Sequence, residues 1–101
     1  MDAKRRAFLG DLLSHSTPSG FETAGQRQWI EYVEAYADEV HVDAYGNAVA
    51  VADGDDDASS VAIAGHADEI GLMVRDITED GFLKLTRIGG SDRTVTRGQH
   101  V

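Results

Sequence analysis

Val61-Ala62-Ile63-Ala64-Gly65-His66-Ala67-Asp68-Glu69-Ile70-Gly71-Leu72-Met73-Val74 is the stretch that decides the fold. Its first four residues form a continuous run of small apolar side chains, the mark of a strand covered on both faces. The run ends in Gly65-His66-Ala67-Asp68-Glu69, where open α/β sheets hold their ligands. Residues two apart in an extended chain point the same way, so the His66 imidazole and the Asp68 carboxylate can converge. A metal-binding histidine commonly donates its other ring N–H to a carboxylate, which fixes the tautomer and raises basicity. Gly65 permits close approach of the backbone. Taken alone, His-x-Asp is a weak motif, and a loop histidine beside a solvated acid is the simpler reading.

Upstream the period is helical. Leu9, Leu12 and Leu13, with Phe8 beside them, predict an amphipathic helix over Ala3–Ser14, capped by Asp2. Ser16-Thr17-Pro18-Ser19-Gly20 breaks it. A second helix is expected from about Glu22 to Tyr36, with Trp29, Ile30 and Val33 on its buried side. Val40, Val42 and Ala44 then alternate with Glu39, His41 and Asp43 as in a half-buried strand. Tyr45-Gly46-Asn47 makes a turn, and a second strand runs from Ala48 to Ala52. Asp53-Gly54-Asp55-Asp56-Asp57 lacks the placed Gly and terminal Glu of a calcium loop and reads as a solvated connection. Leu72-Met73-Val74 and Phe82-Leu83-Lys84-Leu85 are strands around a Thr78-Glu79-Asp80-Gly81 turn, and another strand is expected near Val95. Gly46, Gly65, Gly71 and Gly81 read as turn residues. Two helices followed by a mainly β segment make an α/β domain that looks unfinished at Val101.

Four stretches in register resemble one family. Gly65-His66-Ala67-Asp68-Glu69-Ile70-Gly71-Leu72-Met73-Val74 resembles the first metal motif of the glutamyl and tetrahedral aminopeptidases, metallopeptidase family forty-two, some of whose members are labelled endoglucanases. Leu12–Glu22 resembles the family's opening helix and its Pro-Ser-Gly-x-Glu turn, and Asp43-Ala44-Tyr45-Gly46-Asn47 its Asp-x-x-Gly-Asn hairpin. Gly81-Phe82-Leu83, Ile88-Gly89-Gly90 and Gly98-Gln99 resemble the passage into its inserted β-barrel. Metal-dependent deacylases and dipeptidases also carry Gly-His-x-Asp, but Glu69-Ile70-Gly71 favours the aminopeptidases.

The resemblance covers nearly all of this chain and about the first third of a complete family member. It implies a three-layer zinc-peptidase-like α/β domain, with residues 1–90 in its amino-terminal part and 91–101 beginning the inserted β-barrel. It implies two divalent ions, zinc or cobalt, that activate water against a scissile carbonyl. His66 would correspond to a ligand of one metal, and Asp68 to the catalytic acid that orients His66. The further ligands and the general base would lie beyond Val101, so the chain alone is expected to be inactive. The substrates implied are peptides losing N-terminal residues, and complete relatives form homo-oligomers. Glu69 is read either as a support for the site or as a surface or hydrogen-bonded acid. His15 and His41 are read as structural or exposed, and His100 is given no role. Two other readings stay open. One is a non-catalytic remnant or assembly module. The other is a glycan hydrolase, which the metal motif opposes because that chemistry uses two opposed carboxylates.

Charge narrows the partners. Eighteen acidic residues face nine basic ones among 101, a net charge of −9. Twelve of the acids are Asp and seven of the bases are Arg. No basic face exists to neutralise phosphates, which argues against nucleic acid. The scarcity of Lys beside plentiful Asp resembles proteins of a high-salt cytoplasm. Without cysteine, disulfides and thiolate metal sites are excluded. No apolar run reaches signal-peptide or membrane-spanning length, so a cytoplasmic protein is expected.

Overall fold

A computed structural model describes residues 1–56 and 59–100. The expected acidic loop reaches Asp57 and the expected barrel segment reaches Val101, and both of those residues lie outside the described ones. Among the described residues the order is two helices and then four strands, an α/β composition.

Helix α1 spans Ala3–Ser14. Asp2, extended at φ −73° and ψ 171°, caps it by accepting the Arg5 N–H at 2.8 Å, which satisfies one of the helix's unpaired donors. At the other end the Ser14 hydroxyl donates back to the Gly10 carbonyl at 2.8 Å, and His15 turns extended. Helix α2 spans Thr23–Val33, with 34–36 continuing as turns, so it is shorter than its apolar spacing predicts. Glu22 offers no side-chain cap to α2. Its Oε1 instead accepts the Gly20 N–H at 2.7 Å. The helices meet through aromatic rings: Phe8 stacks on Tyr32 with centroids 3.6 Å apart and planes at 9°.

Strands β1 (Glu39–Val42) and β2 (Ala48–Val51) form an antiparallel hairpin with Val42 opposite Ala48. Its loop is organised by Asp43, whose Oδ1 accepts the N–H groups of Tyr45 at 2.8 Å and Asn47 at 2.9 Å. Gly46 supplies the required positive φ of 85°. Gln26 of α2 donates to the Gly46 carbonyl at 2.9 Å and ties helix to hairpin. Strands β3 (Gly71–Ile77) and β4 (Leu83–Ile88) form a second antiparallel hairpin with an irregularity between Val74 and Asp76. Thr78 closes its turn by accepting from Phe82 N at 3.0 Å through the hydroxyl and from Gly81 N at 2.9 Å through the carbonyl.

Three expectations are corrected. Residues 61–64 are not a covered strand: Val61 is 89% and Ile63 97% exposed, and the run pairs with no strand among the described residues. A strand needs a neighbour to satisfy its backbone, and among the described residues neither hairpin lends an edge to this run. Near Val95 the chain makes turns over 93–98 instead of a strand, with Asp92 accepting the Thr94 N–H at 2.9 Å and Gly98 at φ 74°. The apolar helix faces are only partly covered: Phe8, Leu12, Trp29, Ile30 and Val33 are half-buried, and Leu13 is 74% exposed. No apolar residue among the described ones is fully buried. The accessible surface is 8713 Å², where a compact monomer of this mass exposes about 5,600 Å². The extents, 64 × 32 × 22 Å, are accordingly elongated.

Candidate functional site

Two segments far apart in sequence build the site: the turn after α1, and the loop that leads into β3. Glu69 N donates to the Thr17 carbonyl at 2.9 Å, within a parallel bridge between Pro18 and Glu69. The Thr17 N–H returns the contact, donating to Glu69 Oε1 at 3.0 Å. Glu69 is therefore a hydrogen-bonded acid that locks the loop to the turn.

Glycine makes the approach possible at Gly71. A Cβ there would sit 3.1 Å from Pro18 Cβ, so this glycine begins a strand against a close neighbour and is not a turn residue. Gly89, at the end of β4 with φ 77°, closes on Ile70 and Ser19 from the other side.

Asp68 is held at both oxygens. Its Oδ2 accepts the Ser19 hydroxyl, and its Oδ1 lies 3.0 Å from His66 Nδ1. The Asp68 carbonyl lies 2.8 Å from the same nitrogen. These contacts keep the Asp68 carboxyl below its ordinary pKa, the Ser19 hydrogen bond first and His66 second. Both groups facing Nδ1 are acceptors, so Nδ1 carries the ring proton. In the neutral imidazole Nε2 then bears the lone pair. The ring is open to solvent, its side chain 85% exposed, and Nε2 has no hydrogen-bond partner among the described residues.

That arrangement suits a ligand atom: an imidazole whose Nδ1 is engaged by two acceptors and whose Nε2 faces outward. It is one ligand. Among the described residues, no three His, Cys, Asp or Glu side chains gather to hold an ion. His15 donates from Nδ1 to the Asp11 carbonyl at 3.0 Å, and His41 pairs with Glu39 at 2.9 Å. Both are partnered locally.

The convergence of His66 and Asp68 was legible from their spacing. The parts played by Thr17 and Ser19 were not, because 52 and 49 residues separate them from their partners. Short polar residues flanking a proline at a helix end were the available signal.

Residues 46–101 match the sequence profile of the M42 glutamyl aminopeptidases, more than half of the chain. The chain belongs to the M42 glutamyl aminopeptidase family. The lysyl aminopeptidase of Pyrococcus furiosus is 42% identical to this M42 chain over 73 residues, 71% of the chain and 20% of the relative. The fold agrees with the amino-terminal part of solved aminopeptidase structures. The TET aminopeptidase of the marine sediment archaeon Thaumarchaeota archaeon SCGC AB-539-E09 superposes with a TM-score of 0.70 at 36% identity, over 86% of this chain and 24% of that one. Aminopeptidase APDkam598 of the archaeon Desulfurococcus kamchatkensis gives 0.73 at 33% identity, over 86% and 25%. This M42 chain thus spans about a quarter of the length of the relatives it matches. Among its described residues, no helix is long and apolar enough to cross a membrane.

Proposed function

We propose that this chain supplies the first part of a metal-dependent aminopeptidase site, in which His66 ligates one of two divalent ions through Nε2. The observation that carries the reading is the pair of acceptors at His66 Nδ1, which leaves Nε2 as an exposed lone pair. Asp68 orients the imidazole and strengthens it as a donor to a cation. When bound, two such ions polarise a scissile carbonyl and lower the pKa of water. The chain's own contribution is to set which ring nitrogen carries the proton and how the imidazole is turned. Zinc or cobalt suits a nitrogen ligand of this type.

Peptides losing N-terminal residues are the substrates of this proposal, as the aminopeptidase names of the relatives support. Residues 1–90 belong to the catalytic domain and 91–101 begin an inserted one. The exposure of Val61 and Ile63 supports a place within a larger fold that covers them. The net charge of −9 with only two lysines supports a high-salt interior.

A chimaera tests the function. This chain replaces the matched part of the Pyrococcus furiosus lysyl aminopeptidase, and hydrolysis of amino acyl anilides is followed with added zinc or cobalt. Turnover that disappears with His66→Ala supports the reading. Full, chelator-resistant turnover after that substitution rejects it.

A further inference from the structure

Ser19 has no part in the ligand role proposed for His66, yet its hydroxyl is spent on the one carboxylate oxygen that His66 does not use. We infer that Ser19 is a positioning residue, which fixes the Asp68 carboxylate so that its other oxygen meets His66 Nδ1. The inference rests on the proposed role of His66 as a ligand.

The geometry carries it in three ways. First, Asp68 is attached to the chain by a short side chain with two rotatable bonds, and it is half-exposed, so water competes for both oxygens. A hydroxyl donor at Oδ2 selects one rotamer and directs Oδ1 to the ring 3.0 Å away. Second, Ser19 is itself fixed. It follows Pro18, whose ring is pressed against Gly71, and Thr17, which is tied by two hydrogen bonds to Glu69. The donor therefore stands on the same clamp that places the acceptor. Third, β4 reaches this point, with Gly89 beside Ile70 and Ser19, so the hairpin and the turn share one junction.

The test uses the full 101-residue chain, labelled with nitrogen-15, at about pH 8, where an ordinary histidine is neutral. Long-range nitrogen–proton spectra read the His66 tautomer without any metal, and His66→Ala assigns the signals. Zinc alone is then titrated and followed at His66 Nε2. The expected result is a dominant Nδ1–H tautomer in the parent chain. In Ser19→Ala the Nε2–H form should gain population, and zinc should bind His66 about 10-fold more weakly, the lower end for loss of an outer-shell partner. Ser19→Thr, which keeps the hydroxyl, should restore both. If Ser19→Ala disturbs the β3–β4 amide pattern, Ser19→Cys decides by the same readouts, since the thiol fills the space and donates weakly. An unchanged tautomer and an unchanged titration overturn the inference. A tautomer shift with zinc that never reaches His66 keeps Ser19 as the positioning residue of the ring, and the ligand reading is then decided by the zinc content of the chimaera, where the remaining ligands are present.

Discussion

Thr17 and Glu69 hold each other by two hydrogen bonds across 52 residues, main chain to main chain at 2.9 Å and main chain to carboxylate at 3.0 Å. Thr17 is also among the least exposed residues of the chain, at 9%. Removing the carboxylate strands a buried N–H, which costs about 1–3 kcal/mol. Glu69→Ala should therefore lower the urea midpoint clearly. Glu69→Gln, which keeps an acceptor oxygen, should lose much less. Equal losses for the two would show that the accepting oxygen is not what matters.

Gly25 lies in α2 directly under this clamp. A Cβ at Gly25 would meet Thr17 Cγ2 at 2.7 Å. In an open helix, Gly→Ala gains about 1 kcal/mol, whereas overpacking costs about 1–3 kcal/mol. Thr17 cannot retreat freely, because its backbone is bonded to Glu69 on both sides. Gly25→Ala should thus destabilise the chain, and adding Thr17→Ser, which deletes the obstructing methyl, should turn the change neutral or favourable. A double-mutant cycle in urea reads the coupling. Additive effects would refute the contact.

The β1–β2 loop should be acid-sensitive. Asp43 is held below its ordinary pKa, chiefly by the Asn47 side chain and then by the backbone N–H groups of the loop. A depressed folded pKa means that the ionised form is favoured by folding. The contribution is complete above the unfolded value of about 3.9 and is lost as pH falls through the lower folded value. The amide signals of Tyr45 and Asn47 should hold steady down to about pH 4 and move below it. Movement centred at or above that value would contradict the bonding described.

Salt should favour the folded chain. Eighteen acids against nine bases repel one another, and added salt shortens the range of that repulsion from about 10 Å at 0.1 M to about 3 Å at 1 M. Circular dichroism should show a thermal midpoint that rises with sodium chloride. A midpoint indifferent to salt would remove charge repulsion from the account.

Local structure was readable because local rules decide it. Asp2 announced the start of α1, and Tyr45-Gly46-Asn47 announced the first hairpin turn, in which Asp43 takes the organising role the strand pattern had not given it. The Thr78–Gly81 turn placed β3 against β4. What failed depended on distant partners. The run 61–64 has strand composition, yet extended chain becomes a strand only when another strand accepts its hydrogen bonds. The segment around Val95 has the β-branched run Thr94-Val95-Thr96, but Asp92 and Gly98 commit it to turns. Helix α2 stops at Val33 although Tyr36 continues its spacing. At the site, the His66–Asp68 contact followed from a spacing of two, whereas Ser19 could be found only once the chain was folded.

The central claim is that His66 is a metal ligand held in place by Asp68, and metal stoichiometry tests it most directly. In the chimaera with the lysyl aminopeptidase, the parent should bind two zinc ions per chain by elemental analysis after dialysis. His66→Ala should retain about one and lose turnover, and Asp68→Asn should keep two sites with affinity weakened about 10–100-fold at one of them. Two tightly held ions in His66→Ala, with turnover intact, would contradict the account.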